Sequence, residues 1–143
     1  MTHAGNPIFG RWSSIPGDGL FLVTRTPREA AEFALTLFEM SRKLNWKKAG
    51  FDAGVTFRVG LHAGPAFVTD EDPLTRRPNA YGLEVSRAAR IEPIVEPGEV
   101  WASRAFVILA MATGCEGLRF HDLGERPLAK GARPMYLYRV GRA

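Results

Sequence analysis

The stretch that most restricts the fold is Asn79 to Glu92, NAYGLEVSRAARIE, which reads as one helix with its start and stop both written in. The turn former Gly82 sets the start, Ala88 and Ala89 are good helix formers in the middle, and Pro93 pushes the residue before it away from the helical region. At about 3.6 residues per turn, Ser86 and Arg90 share one face. Val85, Ala88, Ala89 and Ile91 give apolar or small surface around much of the rest. A hydroxyl and a guanidinium one turn apart suit a ribose or a phosphate, because arginine offers a planar fork of donors matched to oxyanions. A solvated surface face would carry the same residues, and spacing alone favours that plainer reading.

The elements on either side are short and alternate in type. Ile8 to Ser14 and LFLVT flank Pro16-Gly17-Asp18-Gly19, which predicts a hairpin with a carboxylate at its tip. Thr26-Pro27-Arg28-Glu29 is a helix start, with threonine as cap and proline in the first turn. That helix is expected to run to about Leu44, with Ala30, Phe33, Leu37, Phe38, Met40 and Leu44 as its core stripe. Val55 to His62 alternates as a strand: Val55, Phe57, Val59 and Leu61 fall on one face, Arg58 and His62 on the other. Ala63-Gly64-Pro65 is expected to turn the chain so that Ala66 to Thr69 pairs back, and Asp70 to Pro78 to form an exposed polar loop. Val100 to Ala102 reads as a strand, Ser103 as the cap of a helix through about Ala112, and Leu118 to Leu123 and Met135 to Val140 as the closing strands. Strands interleaved with helices in this order predict an α+β fold, helices packed on a mostly antiparallel sheet. His62, with no metal-like neighbour in sequence, reads as structural.

At 143 residues the chain is expected to be a single domain, 1–143. With 45% hydrophobic and 24% charged residues it has the composition of a globular protein rather than a disordered one. The balance of 19 Lys and Arg against 15 Asp and Glu suits a phosphate-rich ligand, although scattered charge speaks to encounter rather than fold. Cys115 has no partner for an intrachain disulfide, which points to a reducing, cytoplasmic setting. Neither a signal peptide nor a membrane span is expected, since no apolar run reaches the length either needs.

The run YGLEVSRAARIEPIVEPGEV resembles the signature of the class III nucleotidyl cyclases, the adenylate and guanylate cyclase catalytic domain, which reads G-x-x-V-N-x-A-A-R-x-E before a P-G turn and a strand. FRVGLHAGPAF is similar to that family's R-I-G-I-H-S-G-P segment, IPGDGLFLV to its G-D-G hairpin, and FHDLGERPLAKGARPMYLYRV to its closing D-L-G-x-x-x-L-K-G…Y-R segment. The likeness runs in the family's order from about Ile15 to Val140. It implies a ferredoxin-like α+β core and a site built between two protomers. It also implies conversion of a nucleoside triphosphate to a cyclic nucleotide and pyrophosphate. The metals, Mg2+ or Mn2+ in an active enzyme, acidify the attacking hydroxyl and neutralise pyrophosphate charge.

Carried over by resemblance, Asp18 is the second metal aspartate, Arg90 the arginine that stabilises the transition state, and Lys130 the lysine that meets the triphosphate. Ser86 stands where the family has asparagine, with a shorter reach and no amide donors. Ser14 and Asn79 stand at the base-reading positions, where adenylate cyclases carry a lysine and an aspartate. The family's first strand, with the other metal aspartate, has no counterpart before Ile15, so the site set is incomplete and the chain alone is expected to be inactive. The loss would leave a sheet edge unpaired, to be covered in part by Asn6 to Ser14 or by a partner chain. A homodimer, or a heterodimer with a complementary cyclase-like subunit, is the expected assembly.

Two other functions compete with a cyclase. One is a catalytically inactive domain that binds nucleotide or only dimerises in a regulatory role. The other is a small basic RNA-binding domain, which would need exposed aromatics on a basic strand for base stacking. FRVGLHAG has a single aromatic, on its apolar side, so nucleic acid is the weakest of the expected partners.

Overall fold

A computed structural model describes residues 12–14 (by backbone alone), 19–74, 76 and 78–143. The first element pair is a short antiparallel ladder, β1 (Trp12–Ser14) on β2 (Phe21–Val23), as the hairpin reading required. The hairpin tip with Asp18 lies outside the described residues. Helix α1 (Pro27–Lys43) starts where its signals place it: Thr26 Oγ1 accepts from the Glu29 amide at 3.2 Å, and Pro27 sits in the first turn.

The buried face of α1 differs from the expected stripe. Ala31, Ala34, Phe38 and Ser41 face the core, while Met40 and Leu44 are exposed. Two alanines on one face let the helix backbone approach the sheet closely, and that gain outweighs the larger apolar residues on the neighbouring face.

The main sheet has four strands in the order β3 (Val59–Leu61), β6 (Val100–Ser103), β8 (Met135–Arg142), β7 (Leu118–Arg126). Its β3–β6 pair is parallel and its other two pairs are antiparallel. A parallel pair needs a long crossover, and residues 62–99 supply it. They form a hairpin of β4 (Phe67–Thr69) and β5 (Asn79–Tyr81), then helix α2 (Leu83–Ile91). Helix α3 (Arg104–Thr113) follows β6, with Ser103 Oγ accepting from the Phe106 amide at 3.2 Å.

Sheet order corrects two expectations. Residues 66–69 do not pair back on the preceding strand; β4 pairs with β5 in the register Phe67↔Tyr81, Val68↔Ala80, Thr69↔Asn79. The cause lies in the loop read as merely exposed. Asp72 is buried there, accepting from the Leu74 amide at 2.8 Å, from Asn79 Nδ2 at 3.0 Å and from the Tyr81 hydroxyl, so it ties the hairpin shut. Asn79 to Tyr81 is accordingly strand, and the helix begins only after Gly82, whose φ of +131° few other residues adopt. Trp12–Ser14 pairs with β2, and among the described residues no strand pairs with the outer edge of β3.

The sheet separates two apolar clusters. Ala31, Ala34 and Phe38 of α1 and Phe106, Val107 and Ala110 of α3 pack on one face with Leu61, Val100, Ala102 and Val140. On the other face, Ile91 and Val95 pack with Trp101, Leu128 and Leu137. Strand β6 alternates between the two, so all four of its residues are buried. No helix among the described residues is long and apolar enough to cross a membrane.

Candidate functional site

The helix that bears Ser86 and Arg90 is held against one face of an extended segment. Along residues 57–63 the odd positions, Phe57, Val59, Leu61 and Ala63, belong to the α1–α3 cluster. The even positions turn to α2. Arg58 Nε donates to Glu92 Oε1 at 2.6 Å, just past the end of α2. A Cβ on Gly60 would lie 2.8 Å from the Glu92 amide nitrogen, and one on Gly64 would lie 2.5 Å from Glu84 Cγ. Between them His62, its side chain 4% exposed, bonds Glu84 near the helix start. Period-two alternation thus sends one side chain set to the core and the other to α2.

His62 was expected to be structural, and the structure makes it the centre of a buried polar link. Its Nδ1 lies 2.7 Å from Ser103 Oγ and its Nε2 2.5 Å from Glu84 Oε2. Glu84 also accepts from Arg87 Nη1 at 2.9 Å. The bond from His62, and then the charge of Arg87, hold the Glu84 carboxyl below its ordinary value of 4.5 against the opposing effect of burial. With Glu84 ionised, Nε2 must carry a proton, and the Ser103 hydroxyl can donate to Nδ1 while its oxygen caps α3. The trio resembles a hydrolase set by composition, but Ser103 is 1% exposed and committed to its cap, so it offers no nucleophile. Sequence reading missed these partners; the one available signal was that His62 shares a strand face with Arg58.

On α2 itself Ser86 is exposed and Arg90 half-buried. Every other arginine whose side chain is described is exposed, and several of those are paired with carboxylates, including Arg28, Arg58, Arg87 and Arg142. No hydrogen bond or ion pair holds the Arg90 side chain among the described residues. A partly desolvated guanidinium without a carboxylate is prepared to receive an anion. Lys130 lies in a 3-10 turn, Ala129–Gly131, that contacts α2. It is exposed and takes left-handed φ/ψ of 57° and 35°, a conformation that a residue with a Cβ adopts only when its surroundings impose it.

The remaining expected site residues are spread out. Asn79, on β5, donates through Nδ2 to Asp72 and accepts through Oδ1 from the Ala80 amide at 2.9 Å, so its amide is engaged inside the hairpin. Ser14 ends β1 opposite Phe21, and only its backbone is described. Asp18 lies outside the described residues. Among those described, no three His, Cys, Asp or Glu side chains are grouped to hold a metal ion.

Beside α2 the surface is apolar. Phe67 is 80% exposed and Leu83 63%, and the two line one shallow groove with Pro65, Ala66, Gly82 and Glu84. Tyr81, the cross-strand partner of Phe67, is exposed as well.

Comparison with known proteins gives three concordant findings. A family model described as the adenylate and guanylate cyclase catalytic domain matches residues 17–141. An adenylate cyclase of Neurospora crassa is 37% identical over 54 residues, which is 38% of this chain and 2% of that protein, so the match spans a small part of its curated relative. Among solved structures, an adenylate cyclase from Trypanosoma brucei in its monomeric state superposes with a TM-score of 0.75 at 20% identity, covering 90% of this chain and 68% of that one. A guanylate cyclase domain from Catenaria anguillulae in complex with GTP superposes with a TM-score of 0.70 at 19% identity, covering 92% and 72%.

Proposed function

Because the chain belongs to the adenylate and guanylate cyclase catalytic domain family, we propose that its α2 face binds the phosphates and ribose of a nucleoside triphosphate. The observation that carries this reading is Arg90, half-buried and without a carboxylate partner among the described residues. Its guanidinium would donate to two phosphate oxygens in a bidentate pair, and in a cyclisation it would stabilise the charge that grows on the α-phosphate. Lys130, on a turn packed against α2, would add a point charge to the triphosphate. Ser86, one turn from Arg90, would reach the ribose with a hydroxyl only. Ser14 and Asn79 are the base-reading positions in this proposal; both are uncharged and the Asn79 amide is bonded to Asp72 and Ala80, so they do not single out a base.

A divalent cation, Mg2+ or Mn2+, would supply activation of the ribose hydroxyl if the site turns over. Asp18 is the ligand proposed for it, and the described residues offer no set of three. On the family resemblance we read this chain as one half of a composite site, completed by a second cyclase-like subunit. The exposed apolar surface of Phe67, Tyr81 and Leu83 beside α2 supports that reading, since single surface apolar residues are common but a cluster marks an interface.

Titration of a fluorescently labelled nucleoside triphosphate tests the proposal. Arg90→Ala and Lys130→Ala should each weaken binding by about tenfold or more, because charge-assisted bonds contribute roughly 1.5–3 kcal/mol each. Asp18→Ala should have a smaller effect. Equal losses in all three, with strong metal dependence, would point instead to a competent metal site; no binding by the unmodified chain would reject the nucleotide reading.

A further inference from the structure

We infer that His62 is a positioning residue for the α2 anion site, acting through Glu84 to fix where Arg90 stands. The inference rests on the nucleotide reading for its functional consequence, but its structural basis is independent. His62 is the point where three elements meet: it directly follows β3, bonds Glu84 of α2, and bonds Ser103, which caps α3. Ser103 is locked in β6 and buried, so the imidazole is anchored on that side to the central sheet. Its other nitrogen then holds the first turn of α2. The far end of the same helix is held by Arg58 on Glu92 and by the bare backbone of Gly60 under Ile91.

A rigid helix pinned at both ends has one register. Ser86 and Arg90 lie between the pins and inherit that register. Gly64 completes the clamp, because any side chain there would strike Glu84. Without the histidine bond, the Glu84 carboxylate would keep Arg87, on its own helix, and lose its tie to the sheet. The first turn of α2 would then be free to shift on β3, and the guanidinium of Arg90 with it. Full satisfaction of every polar atom in the link is what makes it specific, since a half-satisfied buried group is costly.

Three measurements on the intact chain test this. The imidazole nitrogen shifts of His62 should report a proton on Nε2, the nitrogen that faces Glu84; an unprotonated Nε2 would overturn the link as drawn. His62→Leu should raise amide hydrogen exchange in α2 by about tenfold while β7 and β8 keep theirs, and His62→Gln, which retains a donor for Glu84, should restore most of the protection. Equal rises in helix and sheet, or none in α2, would overturn the inference. Glu84→Leu gives the same reading from the more exposed side if His62→Leu does not fold. Finally, with labelled GTP as probe, His62→Leu should weaken binding, and His62→Leu with Arg90→Ala should bind no more weakly than Arg90→Ala alone. Additive losses would mean that His62 does not act through Arg90. If the unmodified chain binds no triphosphate, the nucleotide reading fails and the exchange result alone decides the positioning role.

Discussion

Gly60 and Ile91 are in contact through the absence of a side chain: a Cβ on Gly60 would stand 3.0 Å from Ile91 Cγ2 and 2.8 Å from the next amide nitrogen. Ile91 is fully buried and the amide belongs to the turn that follows α2, so neither can retreat. The close approach brings the site helix onto the sheet.

Gly60→Ala is therefore expected to destabilise the fold by about 1–3 kcal/mol, the usual range for overpacking. Gly141→Ala, where the added carbon meets nothing within 4 Å, should be nearly neutral. Urea unfolding of both variants checks this, and equal midpoints would show that α2 adapts to the extra methyl.

Acid should loosen the same helix. The folded carboxyl of Glu84 titrates below its ordinary value of 4.5, chiefly because His62 donates to it. A group with a depressed folded pKa stabilises the native state above its unfolded pKa, and loses that contribution as pH falls through the folded one. Stability of the unmodified chain should thus fall below about pH 4.5 more steeply than that of Glu84→Gln. Thermal melts between pH 7 and pH 3 measure it; parallel curves would remove Glu84 from the acid transition.

Self-association is expected through the hairpin beside α2. Light scattering at micromolar concentration should show a dimer, and Phe67→Ser with Leu83→Ser should shift it to monomer without altering the far-ultraviolet dichroism, since both side chains are largely exposed. A monomer at every concentration would leave the composite-site reading to a different partner chain.

With ATP, GTP, CTP or UTP and Mn2+, this chain alone is expected to form no cyclic product above background. Ser86→Asn should not rescue it, because the asparagine restores a ribose contact and not a metal ligand. Adding a second cyclase-like subunit that brings metal-binding carboxylates should. Chromatography of the four mixtures settles the matter, and cyclic product from the unmodified chain would establish a complete site.

The parts legible in sequence were those written in neighbouring residues. Thr26 and Ser103 announced their helices because a cap bonds an amide three positions away. Gly82 marked the start of α2 by its backbone freedom. The alternation from Val55 to His62 correctly separated a core face from an Arg58–His62 face, although only Val59–Leu61 is laddered. The order of motifs named the family, and with it the fold.

Tertiary structure decided everything that depends on a distant partner. Residues 66–69 could have paired with either neighbouring segment; buried Asp72, bonding Asn79 and Tyr81, chose β5. The buried side of α1 was set by the closeness of the sheet, which favoured Ala31 and Ala34 over Met40 and Leu44. Above all, His62 looked solitary because Glu84 and Ser103 stand 22 and 41 residues away along the chain. Local chemistry is fixed by covalent neighbours and can be read directly, whereas a buried hydrogen bond exists only once packing has excluded water and brought its two ends together.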